Sequence, residues 1–106
     1  MSNSLSESEL ERLIMLAEEC GEVVQAVGKI VRHGYESCHP DVHGGDWTNR
    51  QELAREVLDV IAMVNLMLLM EDIDVDLSMS NVISRINHKM TYTHHQGQVK
   101  TMIEEL

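Results

Sequence analysis

The sequence has no phenylalanine, one tryptophan, two tyrosines, one proline and two cysteines. With so few aromatics, packing falls to aliphatic residues and to eight methionines, which suit an adaptable helical core or interface. Two cysteines, Cys20 and Cys38, make no disulfide framework. Cys20 falls within a helical pattern, where a small buried thiol is expected, and a reducing cytoplasm is the simplest setting. Basic residues are scarce: 8 Lys and Arg face 18 Asp and Glu, a formal charge of -10. That balance argues against sequence-independent binding to nucleic acid and against an anionic membrane surface. An anionic small molecule remains open if a cation mediates. Long apolar runs are absent too. The longest, from Val57 to Met70, is too short to span a bilayer and contains Asp59 and Asn65. The polar, acidic opening MSNSLSESEL is no signal peptide.

The 106 residues suffice for one domain with one modest core. Ser6 and Glu9 have the spacing of a capping box, which predicts a helix from there to about Arg32. Gly21 and Gly28 interrupt it without breaking it, and are placed to let another helix approach closely. His33-Gly34 supplies a stop. Residues 34–48, GYESCHPDVHGGDWT, read as a loop, since they hold the proline and a Gly-Gly pair. Asn49 to Glu52 fits a second capping box, with Asn49 as N-cap, opening a helix to about Glu71. The short alternating stretch IDVDL is a connector. A third helix starts at Ser78 or Ser80 and runs to roughly His94. The tail at about 97–106 is weakly structured. The expectation is an all-α chain, a single domain over 1–106 with three main helices.

Turned at about 100° per residue, the first helix is apolar around most of its circumference. Leu13, Leu16, Val23, Val24, Val27, Ile30 and Val31 spread over a broad arc. Glu18, Glu22, Gln25 and Lys29 form a narrow polar strip, with Glu19 at its edge. Three helices of one chain cannot cover so much apolar surface, so the bundle is expected to be completed by homo-oligomerisation, as a dimer or tetramer. On the second helix Glu52, Glu56 and Asp59 share a face that Met63, Met67 and Met70 extend.

Carboxylates three apart project from one face of a helix. Glu19 with Glu22, and Glu56 with Asp59, are two such pairs. On adjacent helices they place four carboxylates about one point, which repel unless a cation joins them. Hard oxygen ligands suit Mg²⁺, with Mn²⁺ as a substitute. Glu18 lies beside the first pair, where it can orient a water as general base. The bland alternative is a solvated acidic face. Asp59 counts against it, because its flanks are Val57, Leu58, Val60 and Ile61 and a lone buried carboxylate is costly.

Glu18-Glu19-x-x-Glu22 followed by Glu56-x-x-Asp59 resembles the EExxE…ExxD motif of the all-α nucleoside triphosphate pyrophosphohydrolases, the MazG-like group. The flanking LAEECGEVVQAVGKIVRHG and TNRQELAREVLDVIAMV agree, and the resemblance covers roughly residues 13–70. The intervening segment is somewhat long for the group. The resemblance implies Mg²⁺-dependent hydrolysis of a nucleoside triphosphate, often a deoxynucleotide, to monophosphate and pyrophosphate. Glu19, Glu22, Glu56 and Asp59 would hold the metal, and a water near Glu18 would attack the α-phosphorus. Two rivals remain: a phosphoribosyl-ATP pyrophosphohydrolase, and a non-catalytic helical oligomer that binds nucleotide or metal.

Other residues are weighed both ways. Lys29 reaches for a phosphate or is an ordinary surface lysine. Trp47 stacks on a base or anchors its loop. Asn49 caps its helix or touches nucleotide. Gln25 and Asn65 bond to sugar or base, or satisfy a neighbour. Cys38, His39 and His43 match no zinc spacing, and Glu36-x-x-His39 stands alone beside Pro40.

Overall fold

The computed structural model describes residues 4–40 and 46–106. Its elements run α1 (Glu7–His33), β1 (Cys38–Pro40), β2 (Asp46–Thr48), α2 (Asn49–Leu69), α3 (Met79–Met90) and α4 (Gly97–Glu104). The all-α class is borne out. The chain divides into two compact units, one through Ile73 and one from Asp74.

In the first unit α1 and α2 form a helical hairpin. The box at Ser6 and Glu9 starts α1, with Ser6 Oγ accepting from Glu9 N at 3.0 Å and Glu9 Oε1 from Ser6 N at 2.9 Å. Gly34, at φ 85°, ends it and returns its N–H to Ile30 O. That positive φ suits glycine, which has no Cβ to clash. The described parts of the stretch expected as a loop over 34–48 include two short strands. β1 and β2 pair antiparallel with Cys38 opposite Thr48. Backbone bonds from Asn49 N to Ser37 O and Arg50 N to Tyr35 O close the ends of this excursion. Such short strands carry too few residues for alternation to announce them. The Gly44-Gly45 pair lies outside the described residues.

The N-cap of α2 is Thr48, one residue before the expected Asn49. Thr48 Oγ1 accepts from Gln51 N at 3.1 Å, and Gln51 Oε1 accepts from Thr48 N at 2.9 Å. Asn49 is instead the first helical residue and is buried, its Nδ2 donating to Gly34 O at 3.0 Å. Tertiary demand for that amide, not local spacing, shifts the helix start. At the far end Asp72 N returns to Met67 O beyond Glu71, which adopts φ 61°.

Among the described residues the buried apolar set is small: Ala26, Met63 and Met67. They lie between α1 and α2. Met70, expected to continue that face, is exposed. So is Cys20, contrary to the expected buried thiol, and neither cysteine is in a disulfide. Gly21 has nothing within 4 Å of where a Cβ would stand, so no close helix approach depends on it within one chain. The outer flanks of both helices are bare: Val24 is 70% exposed, Val31 80%, Leu58 62% and Leu69 77%.

In the second unit Ser78 caps α3, accepting from Asn81 N at 3.4 Å. The helix ends at Met90 rather than near His94. There Thr91 Oγ1 donates to His88 O and Thr93 Oγ1 to Met90 O, giving the backbone an alternative to another turn. The tail expected to be weakly structured forms the eight-residue α4. Val99 and Ile103 of α4 and Ile83, Ile86 and Met90 of α3 are half-buried where the two helices touch. No described helix is long and apolar enough to cross a membrane.

Candidate active site

The hairpin is antiparallel, since Lys29 near the end of α1 meets Glu52 near the start of α2, and Arg12 near the start of α1 meets Asp72 just past α2. Between these ion pairs the two acidic dyads fall level with each other. Glu19, Glu22, Glu56 and Asp59 each offer a carboxylate oxygen, and these oxygens all lie within 4.8 Å of one another. The convergence expected from the three-residue spacings is therefore present in the fold. No other group of His, Cys, Asp and Glu among the described residues is placed to hold a metal. His43 lies outside them, and Glu36 is engaged with Arg50 at 2.7 Å.

Depth differs across the four. Glu56 is buried, Glu19 half-buried, Glu22 and Asp59 exposed. Exposure of Asp59 corrects the sequence reading, which held α2 to be covered around it. Within one chain α2 has a bare outer flank, and Asp59 stands at its edge. Burial pushes the Glu19 carboxyl up, aided by the charges of Glu22, Asp59 and Glu18. Glu56 is pushed up to about 7, first by burial, then by hydrogen bonding with Glu22 and by the Glu22 charge. Arg55 opposes this, with Nη2 at 3.9 Å from Glu56 Oε1, too far to offset it.

Two of the oxygens are anomalous. Glu19 Oε2 and Glu56 Oε2 are buried and have no hydrogen-bond partner. Orphaned acceptors in a cluster of like charge are costly unless a cation completes them. Four carboxylates, two of them with an orphaned oxygen, fit a hard divalent ion with water still in its shell.

The remaining candidates separate. Glu18 is exposed beside the quartet, near enough to raise Glu19, but is not one of the four. Gln25 is exposed. Lys29 Nζ lies 3.0 and 3.2 Å from the Glu52 carboxylate oxygens. Trp47 carries the Arg55 guanidinium over its ring, 4.9 Å from the centroid. Asn49 spends its amide on Gly34. Asn65 Nδ2 donates to Ile61 O of its own helix. Sequence reasoning did not single out Arg55 or the partner role of Glu52. The signals were there, since Arg55 adjoins Glu56 and Glu52 lies one turn before it.

Among curated proteins and among solved structures, no match to the chain was found. The family description "MazG nucleotide pyrophosphohydrolase domain" matches residues 7–106, and with them the whole of the carboxylate quartet. Such enzymes hydrolyse phosphoanhydride bonds of nucleotides and generally depend on divalent metal. The chain belongs to the MazG nucleotide pyrophosphohydrolase domain family.

Proposed function

We propose that this chain hydrolyses a nucleoside triphosphate, a deoxynucleotide foremost, to monophosphate and pyrophosphate in the presence of Mg²⁺, removing selected nucleotides from the pool. The carrying observation is the quartet of carboxylates from two helices within 4.8 Å, two of whose buried oxygens have no donor. Glu19, Glu22, Glu56 and Asp59 hold Mg²⁺, and Mn²⁺ substitutes. The ion supplies positive charge against the triphosphate. Glu18, on the exposed flank, accepts a proton from the attacking water. The water oxygen bonds to the α-phosphorus as the bond to the β-bridging oxygen breaks. Its electron pair leaves with pyrophosphate.

Self-association, as a dimer or tetramer, belongs to the same reading. The bare apolar flanks of α1 and α2 support it, because a hairpin with three buried apolar side chains hides little surface from water. Light scattering across a dilution series tests it, and a monomer at every concentration refutes it. A reducing cytoplasm suits the two free cysteines.

The decisive experiment is a nucleotide screen with product identification, covering NTPs, dNTPs and phosphoribosyl-ATP. Pyrophosphate release from one or more triphosphates is expected. Orthophosphate as the product, or turnover of phosphoribosyl-ATP alone, overturns the proposal. Nucleotide binding without turnover identifies a non-catalytic binder.

A further inference from the structure

Where α1 ends and α2 begins, a cavity of about 520 Å³ is lined by Lys29, Arg32, His33, Ser37, Cys38 and Asn49. Its nearest lining residues on the two helices, Asn49 and Lys29, each lie seven residues, about two turns, from the carboxylate quartet at Glu56 and Glu22. Seven residues from Glu22 to Lys29 are about 10 Å of helix rise, and Glu52, which Lys29 grips, is one turn from Glu56. In a chain of net charge -10 this is a concentration of basic groups. Of the Lys and Arg residues described in the first unit, Arg12, Lys29, Arg50 and Arg55 each have a carboxylate within ion-pair distance. Arg32 has none among the described residues. Its guanidinium folds back along α1, close enough that a Cβ at Gly28 would stand 3.4 Å from Nη1. The Ser37 hydroxyl adds a donor to the same wall.

Arg32 and His33 also complement the C-terminal end of the α1 dipole. That role needs neither a cavity nor Lys29 two turns from the quartet. We infer that this cavity is an anion subsite, taking the terminal phosphates of the triphosphate. Bound this way, the substrate runs along the hairpin with its phosphate tail towards Gly34 and its nucleoside towards the opposite end. Trp47 is then a loop anchor under Arg55 and not the base platform.

The site is tested without relying on turnover. In EDTA the quartet holds no metal and repels anions, so inorganic pyrophosphate titrated calorimetrically into the metal-free protein reports the basic cavity. Binding is expected, weakened about tenfold or more by Arg32→Ala and by Lys29→Gln, the loss of one charge-assisted contact each. Lys100→Ala in the second unit leaves it unchanged. No binding to the wild type, or equal binding to Arg32→Ala, overturns the inference. The assignment to bound substrate rests on the proposed hydrolysis and has its own arm. With Mg²⁺ and triphosphate, Arg32→Ala is expected to raise KM about tenfold with kcat nearly unchanged. An unchanged KM, despite lost pyrophosphate binding, refutes the substrate-tail assignment. Trp47→Ala should leave base selectivity intact, and a changed base ranking counts equally against this orientation. A wild type that turns over no nucleotide refutes the hydrolase reading instead, while the titration in EDTA still decides the anion site.

Discussion

Arg12 and Asp72, sixty positions apart, meet through two parallel bonds, Nε to Oδ2 at 2.5 Å and Nη2 to Oδ1 at 2.9 Å. Both side chains are about nine-tenths buried, at 11% and 10% exposure. The bond fixes how far α1 can slide along α2, and with it the level at which the two acidic dyads face each other. Arg12→Ala should lower the melting temperature at neutral pH and weaken Mg²⁺ binding, although it touches none of the four carboxylates. Isothermal titration with Mg²⁺ checks the second effect, and unchanged affinity would show that the quartet keeps its register without this pair.

The same pair gives a pH signature. Hydrogen bonding to Arg12 holds the Asp72 carboxyl below its ordinary value. A depressed acid stabilises the folded state fully above the unfolded value, 3.8, and loses that contribution as pH falls through the folded one. Melting curves of wild type and Asp72→Asn should differ at neutral pH and converge on acidification. A gap that stays constant into strong acid would mean that packing, not charge, separates them.

Glu56 behaves in the opposite sense. Its carboxyl is pushed from 4.5 up to about 7, so the metal-free fold loses stability as pH rises through that interval and bears the full penalty above it. In EDTA above pH 7, Glu56→Gln should melt higher than the wild type, and the two should converge near pH 4.5. The same variant should gain less from added Mg²⁺. Lower stability of Glu56→Gln in EDTA at alkaline pH would contradict the account of its environment.

Metal and protons compete for the quartet. Mg²⁺ should raise the melting temperature of the wild type more above pH 7 than at about pH 5, because protonated Glu56 must release its proton to ligate. Asp59→Asn should abolish turnover with helix content kept, since Asp59 is exposed and packs little. Circular dichroism beside the nucleotide assay separates the two effects. Normal turnover by this variant would remove Asp59 from the site.

Asn49→Ala should cost about 1–2 kcal/mol, as it leaves the Gly34 carbonyl without its side-chain donor where the chain turns into α2. Chemical denaturation measures it. A neutral substitution would show that water replaces the amide at no cost.

The acidic dyads were legible because helical spacing alone puts Glu19 with Glu22 and Glu56 with Asp59. Their convergence needed only that α1 and α2 pair. What local sequence could not decide was a contest between two overlapping capping boxes. Thr48 with Gln51 and Asn49 with Glu52 both fit the pattern. The fold selects the first because Asn49 is claimed by Gly34 and Glu52 by Lys29. Asp59 was misjudged for a related reason: an apolar helix signals that something covers it, but not that the cover lies within the same chain. The pairing of β1 with β2 was unreadable in strands of three residues, and α4 is only eight residues long, too short for its periodicity to announce a helix without the contact it makes with α3.

Ala26, Met63 and Met67 have a consequence for how the protein comes apart. The slope of unfolding free energy against urea scales with the surface newly exposed to solvent. A hairpin hiding so few carbon side chains should give a shallow slope if copies separate before they unfold. If dissociation and unfolding are one event, the slope per chain becomes steep and the midpoint climbs with protein concentration.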